Sequence, residues 1–336
     1  MFKHNRPWLA VLLVAVALLC ACAPAAQTSP SPAPATDATE SPADSPADSP
    51  AESPEQSPAA QEESFAVLTD VLGREVVLAE RPATIVSLTP TNTEIVCALG
   101  LSDLLVGVDA YSNYPASVEG LEKVGDYSGP NAESIVALAP DLVLAGDKLQ
   151  QESIDQLSQL GLTVLATEVS TYDAVVDSIR LVAQATGTQA QAETLIADME
   201  ARTQAVLEKT SGLAEEDKPS VYWAVSFGEY GDYTVGPGSF PDEIIRMAGG
   251  VNVSGESEFA WPMYSPEQIV ADDPDLIIIP GDEAMKESFL ATESYQTLTA
   301  VKEGKVYCVD GDIVSRPGPR LVDALEAVYA ILHPEG

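Results

Sequence analysis

Histidine is nearly absent from this chain of 336 residues, which contains only His4 and His333. Imidazole is the side chain most often used for zinc binding and for acid–base or nucleophilic catalysis. His4 belongs to an N-terminal leader, which leaves one histidine near the other end of the sequence. We therefore expect no catalytic residues, no metal site and no resident cofactor. An active site built from carboxylates alone stays open, although no pair of carboxylates stands out.

Basic residues are also scarce. The sequence has 16 Lys and Arg against 52 Asp and Glu, and its formal net charge is −36. Proteins that bind nucleic acid neutralise phosphates with clustered basic side chains, and this sequence offers no such cluster. The composition excludes nucleic acid as an expected partner and favours a soluble domain.

A long apolar run is lacking as well. The N-terminal run from Trp8 to Ala21 has 14 residues, whereas a membrane-spanning helix needs about 20. The run follows two basic residues and ends in Leu19-Cys-Ala-Cys22, a tetrad that resembles a bacterial lipobox. We predict that residues 1–22 are a lipoprotein signal peptide and that Cys22 is lipidated, which would hold the protein on the extracytoplasmic face of the cell membrane. A secreted protein without lipid is the alternative.

Residues 23–64 have the composition of a disordered tether. They contain Ser-Pro-Ala-Asp repeats from Ser41 to Asp48, and they contain no Lys or Arg. Proline and like charges keep such a chain extended, and nothing in it can bury apolar surface. At about 3.1 Å per residue the segment could reach roughly 130 Å.

Cysteine is too scarce for a disulfide framework. Cys20 and Cys22 belong to the leader and the lipidation site, so Cys97 and Cys308 are the two cysteines left for the folded part. They fall in a predicted helix near the start and a predicted strand near the end. We expect two buried thiols, although export leaves a disulfide between them chemically feasible.

A duplicated pattern is the most informative feature that the sequence does contain. Residues 133–144 read ESIVALAPDLVL, and residues 267–278 read EQIVADDPDLII. Each copy predicts a short helix that begins with a Glu, ends before a proline and leads into an apolar strand. Two such units 134 residues apart indicate two similar lobes, and two lobes imply a cleft between them.

The rest of the sequence alternates predicted strands and helices, which is typical of an α/β fold. Apolar runs at residues 84–88, 104–108, 142–145 and 163–166 predict buried parallel strands, and runs at 221–226, 276–279 and 306–309 repeat this pattern. Between the two sets, residues 172–209 read as helical, with Gly187 as the break. We therefore predict a first lobe at 65–170, a linking helical region at 171–210 and a second lobe at 211–336.

The two glutamates of the duplicated pattern have two interpretations. Asn131 and Ser265 are good N-cap residues, which places Glu133 and Glu267 in the first turn of their helices. There a carboxylate stabilises the helix dipole by about 0.3–1 kcal/mol. The other interpretation is a symmetric pair of anions that docks onto basic sockets of a two-fold partner. The residues alone support both about equally.

Several aromatic residues fall in loops that follow predicted strands or precede helices, where ligands of parallel α/β sheets usually bind. An arginine in the loop Asp310-Gly-Asp-Ile-Val-Ser-Arg316-Pro-Gly-Pro-Arg320 could bind an anionic group of a ligand or pair with a neighbouring Asp. The loop aromatics are Tyr111, Tyr114, Tyr230, Tyr233, Trp261 and Tyr264.

Five segments resemble the substrate-binding proteins of ABC importers for iron–siderophores, haem and cobalamin. They are residues 70–76, 81–90, 125–141, 248–253 and 315–320. The resemblance covers nearly all of residues 65–336 and implies two α/β lobes joined by one long rigid helix. It also implies that Glu133 and Glu267 meet arginines of a permease dimer, which favours the docking interpretation.

The resemblance is greatest to cobalamin-binding members at Val106–Pro115 and at Ala260–Gln268. It implies that Tyr111 and Trp261 contact the ligand and that Arg316 lies in the cleft. One departure is Gly146, where cobalamin binders carry an aromatic residue. The predicted ligand-binding residues are Ser87, Thr91, Tyr111, Tyr114, Tyr230, Trp261 and Arg316.

The sequence thus predicts a monomeric, lipid-anchored receptor that captures a cobalamin-type metal chelate and delivers it to an ABC permease dimer with its ATPase. A ferric siderophore or haem is the alternative ligand. A carboxylate-based enzyme on the same fold and a surface adhesion module are the competing function classes.

Overall fold

The computed structural model describes residues 64–126, 129–146 and 150–334, except the side chain of Glu229. These residues belong to one compact unit. The predicted signal peptide, the lipidation site Cys22 and all but the last residue of the predicted tether lie outside the described residues.

The first lobe is built on a five-stranded parallel sheet with strand order β5-β4-β3-β8-β9. A hairpin of β1 and β2 precedes it, and β6 pairs with β7 in a second short ribbon. The elements of this lobe are β1 (Ala66–Thr69), β2 (Glu75–Leu78), β3 (Ile85–Ser87), α1 (Pro90–Ala98), β4 (Leu105–Val108), β5 (Glu122–Lys123), β6 (Gly125–Asp126), β7 (Gly129–Pro130), α2 (Ala132–Leu138), β8 (Leu142–Ala145), α3 (Gln151–Gln159) and β9 (Val164–Ala166).

Two helices follow, α4 (Tyr172–Thr186) and α5 (Gln189–Thr210). Thr171 caps the first of them by accepting a hydrogen bond from the Ala174 amide. Gly187 ends it in the left-handed conformation, with φ of 69°, which glycine adopts without steric cost. The predicted break in the helical region therefore has a backbone cause. The 22 residues of α5 span about 33 Å.

The second lobe has a four-stranded parallel sheet with strand order β11-β10-β12-β13. Its elements are β10 (Ser220–Trp223), α6 (Phe240–Met247), β11 (Val251–Asn252), α7 (Pro266–Asp272), β12 (Leu276–Pro280), α8 (Glu283–Ala291), α9 (Thr299–Lys302), β13 (Val306–Val309), α10 (Gly311–Ser315) and α11 (Leu321–Leu332).

The two sheets are built on the same plan. The order β4-β3-β8-β9 in the first corresponds to β11-β10-β12-β13 in the second, and the registers agree as well. Ile85 pairs with Leu142 in one lobe as Val221 pairs with Leu276 in the other. The duplicated sequence pattern therefore marks a duplicated α–β unit, α2–β8 and α7–β12, in equivalent positions.

Successive side chains of the central strands β3 and β8 point to opposite faces of the first sheet, and they belong to two different core clusters. Ile85, Leu142 and Leu144 join one large cluster, whereas Val86 and Val143 join a separate cluster on the opposite face of the first sheet. The large cluster also takes residues from α4, α5, α11 and one face of the second sheet. One continuous apolar cluster thus runs through both lobes and the linking helices.

Helix α1 begins at Pro90, because Thr89 caps it and proline suits its first position. Two local expectations need correction. Strand β10 ends at Trp223, before the predicted Ser226. Cys97 and Cys308 are free thiols that are half-buried rather than fully buried, and burial raises the pKa of both.

Among the described residues, no helix combines the length and the apolar character that crossing a membrane requires. In the same residues no group of three or more His, Cys, Asp or Glu side chains could hold a metal ion.

Candidate ligand-binding site

A cavity of about 440 Å³ lies between the two lobes, at the carboxyl ends of the parallel strands. Its described walls carry six hydroxyl side chains, one side-chain amide, one carboxylate and two aromatic rings. The described residues that line it are Thr89, Thr91, Gly146, Gln150, Thr167, Glu168, Val169 and Ser170 of the first lobe, and Gly238, Ser239, Phe240, Ala260, Trp261, Ser315 and Pro317 of the second.

A buried amide organises the first-lobe wall. Asn92 is fully buried in α1 and donates a hydrogen bond of 3.0 Å to the Ala145 carbonyl at the end of β8. Its carbonyl oxygen accepts a bond of 3.0 Å from the Thr167 hydroxyl after β9. The side chain therefore ties the ends of two strands to the helix that carries Thr91. Because each polar atom of Asn92 has a partner, its burial costs little.

Gln150 is fixed by the backbone around it. Its carbonyl oxygen accepts a bond of 2.7 Å from the Gly146 amide, and its amide nitrogen donates to the Leu88 carbonyl at 3.3 Å. A Cβ atom at Gly146 would lie 3.4 Å from the same Gln150 carbonyl oxygen and 3.5 Å from the Thr89 methyl group. Sequence reasoning had read Gly146 only as a lost aromatic residue and had missed Gln150.

Ser87 does not face the cavity. It is fully buried, and its hydroxyl donates to the Thr89 carbonyl at 2.9 Å and accepts from the Thr93 hydroxyl at 2.9 Å. The prediction that Ser87 binds the ligand is therefore corrected. Its hydroxyl supports the loop before α1 instead. Thr91, in contrast, lies on the cavity wall, and its contact with a ligand stays a prediction.

Trp261 and Phe240 form the aromatic part of the second-lobe wall. Their ring centroids are 6.4 Å apart at an interplanar angle of 66°, an edge-to-face arrangement. Phe240 opens α6, capped by Ser239, directly after Gly236-Pro-Gly238. The position of this Gly/Pro loop before a capped helix is the sequence signal that could have identified Phe240.

Trp261 is held by a short antiparallel ribbon. The Thr234 amide donates to the Pro262 carbonyl at 3.0 Å, and the Gly236 amide donates to the Ala260 carbonyl at 2.8 Å. A Cβ atom at Gly236 would collide with the Phe259 carbonyl oxygen, so glycine is needed for this close approach of two backbones.

Arg316 binds across the lobes rather than projecting freely into the cavity. One guanidinium nitrogen donates to the Asn113 carbonyl oxygen, and another lies 2.8 Å from Asp312. The Asn113 amide in turn donates to Asp312 at 3.0 Å. The charge of Arg316 is therefore already neutralised by Asp312. The predicted ligand-binding residue Tyr111 lies two residues before Asn113 and is half-buried.

Tyr114 lies under a second interlobe contact. The Arg320 guanidinium carbon is 4.0 Å from the centroid of its ring, and the same guanidinium donates to both carboxylate oxygens of Glu94 at 2.8 and 2.5 Å. This ion pair raises the pKa of Arg320, so the arginine stays charged. Neither Tyr111 nor Tyr114 is among the described residues that line the cavity.

Tyr230 lies in another place. It is 85 % exposed and lines a separate cavity of about 680 Å³ in the second lobe, between the loop after β10 and helix α8. Val225, Phe227 and Met285 share that cavity. The larger cavity thus contains one of the predicted residues, while the interlobe cavity contains two, Thr91 and Trp261.

Glu133 and Glu267 occupy equivalent positions. Both are exposed, in the first turn of seven-residue helices whose N-caps are Asn131 and Ser265, as predicted. Each helix ends in a left-handed residue, Ala139 or Asp273.

One turn beyond each glutamate lies an exposed valine. Val136 and Val270 stand three residues after Glu133 and Glu267 on the same helix faces, and 44 and 38 % of their surfaces are exposed. The sequence repeat had given no reason to single out these valines. Each lobe therefore presents the same pair of an acidic and an apolar side chain.

The profile of the family described as periplasmic binding protein matches residues 85–313. The uncharacterized ABC transporter substrate-binding lipoprotein YvrC of Bacillus subtilis (strain 168) is 33 % identical over 272 residues, which cover 80 % of this chain and 85 % of that protein.

Two solved structures share the fold. The vitamin B12-binding protein BtuF of Vibrio cholerae has a TM-score of 0.66 and 29 % identity, covering 75 % of this chain and 97 % of that one. The haem-binding protein RhuT of Roseiflexus sp. RS-1 has a TM-score of 0.68 and 26 % identity, covering 75 and 98 %. The α/β fold class and the resemblance to importer binding proteins are thus confirmed, and so is a binding role rather than an enzymatic one. The chain belongs to the periplasmic binding protein family.

Proposed function

We propose that this protein is a lipid-anchored receptor that captures a corrinoid of the cobalamin type between its lobes and delivers it to an ABC permease. The observation that carries the ligand choice is the cavity wall, where hydroxyl groups and the Gln150 amide surround an exposed tryptophan. The carboxylate among the described lining residues, Glu168, accepts hydrogen bonds from the amides of Val169 and Ser170. A corrinoid presents a broad apolar face and a rim of neutral amides, so it matches such a wall in both respects.

The charge of the cleft supports the same choice. Arg316, the basic residue predicted to hold a ligand anion, is engaged by Asn113 and Asp312. A haem carries carboxylates and would compete with Asp312 for this guanidinium, whereas a corrinoid amide rim requires no such exchange. The relative named BtuF binds vitamin B12, and the haem-binding relative RhuT keeps haem as the second candidate, with a ferric siderophore beside it.

The interlobe cavity is too small to enclose a whole corrinoid. About 440 Å³ suits a drug-sized ligand, and a corrinoid is larger than that. The ligand would therefore extend beyond the cavity across exposed surface, with the lobes held by the contacts of Arg316 and Arg320. An apolar cluster shared by both lobes favours binding that involves little closure.

Delivery would use the two equivalent surfaces on α2 and α7. Glu133 and Glu267 place carboxylates on both lobes, and a permease dimer offers two equivalent sites. Val136 and Val270 add an apolar contact beside each charge, which lengthens the complex lifetime while the charges orient it. The permease would act with its ATPase, and the receptor would bind as a monomer.

Lipid attachment at Cys22 would keep the receptor near its permease. The relative YvrC is named a lipoprotein, which supports this part of the proposal. The tether predicted at 23–64 would let the folded part reach the permease while anchored.

The test is a titration followed by tryptophan fluorescence. The folded part contains Trp223, which is buried, and Trp261, which is half exposed on the cavity wall. Saturable quenching by cobalamin with a Kd below about 1 μM, absent in Trp261→Phe, is the expected result. Saturation by a ferric siderophore or haem without response to cobalamin would keep the receptor role and overturn the ligand choice.

A further inference from the structure

Helix α7 is anchored by a tyrosine that precedes it in the chain. The Tyr264 ring is buried in the same apolar cluster as Ile269 of α7, and its hydroxyl donates a hydrogen bond to the carboxylate of Asp272, the last residue of that helix. The same hydroxyl lies 3.2 Å from the Val253 carbonyl oxygen. Burial and the bond to Asp272 raise the pKa of Tyr264, so the hydroxyl keeps the proton that it donates. One side chain therefore ties the end of α7 to the segment before its start.

That segment is continuous with the ribbon that holds Trp261. The Tyr264 amide donates to the Asp232 carbonyl at 2.7 Å, three residues after Trp261 on the cavity wall. The Asp232 carboxylate accepts a hydrogen bond from the Tyr295 hydroxyl. Burial, and in addition the charge of Glu267, raise the pKa of Asp232, which shows that this carboxylate and the exposed glutamate of α7 lie within electrostatic reach of each other. Trp261 and Glu267 are therefore joined through one hydrogen-bonded unit of the second lobe.

The first lobe has no equivalent of this connection. In the duplicated pattern, Tyr264 and Asp272 correspond to Pro130 and Leu138, which lie 134 residues earlier. Neither a proline ring nor a leucine side chain can form a hydrogen bond, so helix α2 cannot be held in this way. Leu138 packs instead against an apolar cluster of the first sheet. The tyrosine–aspartate connection thus belongs to the lobe that also carries Trp261.

The position of Asp272 is unfavourable for the helix alone. A carboxylate in the last turn of a helix faces the negative end of the helix dipole, and the last turn of α7 contains no basic residue. The hydrogen bond from the Tyr264 hydroxyl offsets this repulsion. Removal of the Asp272 carboxylate should therefore leave the helix itself intact and break only its connection to the ribbon.

We propose that Tyr264 is a positioning residue that couples ligand occupancy beside Trp261 to the orientation of Glu267, and so to the affinity of the receptor for its permease. The inference rests on the proposed receptor function and adds a route of communication to it. A ligand that displaces Trp261 moves the ribbon, and the bond between Tyr264 and Asp272 carries this movement to α7. Because the shared apolar cluster favours little closure of the lobes, occupancy is reported within one lobe.

Hydrogen exchange measures this coupling in the receptor itself. The variants are Tyr264→Phe and Asp272→Ala, and the matched control is Tyr222→Phe. Tyr222 belongs to the same cluster, its ring centroid is 6.2 Å from that of Tyr264, and its buried hydroxyl has no hydrogen-bond partner among the described residues. The probe is cyanocobalamin at saturation, with hemin in its place if hemin alone binds.

The expected response is confined to one helix. In the unchanged protein and in Tyr222→Phe, we expect the ligand to change the exchange rates of the α7 amides by about fivefold or more. In Tyr264→Phe and Asp272→Ala the change should be less than about twofold. The amides of α2 should respond in none of these proteins, since Pro130 and Leu138 provide no connection.

Binding to reconstituted permease gives the functional readout. We expect ligand to change the receptor–permease Kd by about fivefold or more in the unchanged protein, and by less than about twofold in Tyr264→Phe. The ligand Kd of the free receptor should stay within about threefold. A purely structural role of Tyr264 would weaken permease binding equally with and without ligand, and the ratio of the two Kd values would then be unchanged.

Three outcomes would overturn the coupling while the receptor function stands. They are a full ligand response of α7 in Tyr264→Phe, a response of equal size in α2, and no response of α7 in the unchanged protein saturated with ligand. Failure of cyanocobalamin, hemin and ferrioxamine to bind in equilibrium dialysis would instead reject the proposed function, and the coupling with it.

Discussion

Asp141 and Asp275 hold the starts of the two lobes' central strands in the same way. Asp141 accepts hydrogen bonds from the Thr84 amide at 2.9 Å and the Thr84 hydroxyl at 3.0 Å, just before β3. Asp275 accepts from the Ser220 amide at 2.8 Å and the Ser220 hydroxyl at 2.7 Å, at the start of β10. The Pro-Asp pair of the sequence repeat is therefore a structural joint between neighbouring strands.

This joint predicts a pH-dependent contribution to stability. Hydrogen bonding by the Ala83 amide, and then by Thr84, holds the pKa of Asp141 below its ordinary value of 3.8. The ionised form is favoured in the folded state, so its contribution is complete above pH 3.8 and is lost as pH falls through the lowered pKa. We expect Asp141→Asn to reduce the free energy of unfolding at pH 6, and the difference from the unchanged protein to shrink below pH 4. Urea unfolding across this range measures it, and a difference independent of pH would contradict the assignment.

The interlobe ion pair of Glu94 and Arg320 is expected to stabilise the folded protein. The Glu94 side chain is 3 % exposed and that of Arg320 is 16 % exposed, so removing one partner leaves a buried charge. We expect Glu94→Ala to lower the free energy of unfolding by about 3 kcal/mol. The double variant Glu94→Leu, Arg320→Met should recover part of that loss, because it removes both charges. Equal losses in the single and double variants would show that packing, rather than charge, is responsible.

Charge reversal at the two docking positions should separate capture from delivery. We expect the double variant Glu133→Lys, Glu267→Lys to bind ligand with an unchanged Kd and to lose ligand-dependent stimulation of the permease ATPase, because two like charges would then meet. Reconstituted permease in vesicles provides the measurement. Glu75→Lys and Glu208→Lys, at other exposed positions, are the control.

The valines on the same helices give a finer test. Val136→Ser with Val270→Ser should weaken the receptor–permease complex chiefly by faster dissociation, since apolar contact acts after encounter. Surface-immobilised permease would report both rate constants. A change confined to the association rate would argue that these valines lie outside the contact.

A single methyl group at Gly236 should disturb the ligand site from outside it. Gly236→Ala would place a Cβ atom against the Phe259 carbonyl, so the ribbon that holds Trp261 must move. We expect weaker ligand binding and a shifted Trp261 emission, with the core around Trp223 unchanged. Gly212→Ala is the control, because nothing lies within 4 Å of a Cβ there. Unchanged affinity in Gly236→Ala would remove the ribbon from the binding site.

The sequence by itself determined the α/β class, most strands and helices, and the equivalence of the two lobes. These features depend on local patterns: apolar runs, N-cap residues such as Asn131 and Ser265, and a glycine that ends α4. It also predicted Trp261 and Thr91 as ligand-binding residues, and both line the interlobe cavity at the carboxyl ends of the parallel strands.

Only the tertiary structure decided what the other candidates do. Arg316 and Tyr114 make contacts with side chains of the opposite lobe. Ser87 is buried, and Tyr230 lines a different cavity. Residues far apart in the sequence make these contacts, so no spacing along the chain encodes them. Local sequence thus set the elements, and long-range packing determined which side chains remain free to bind.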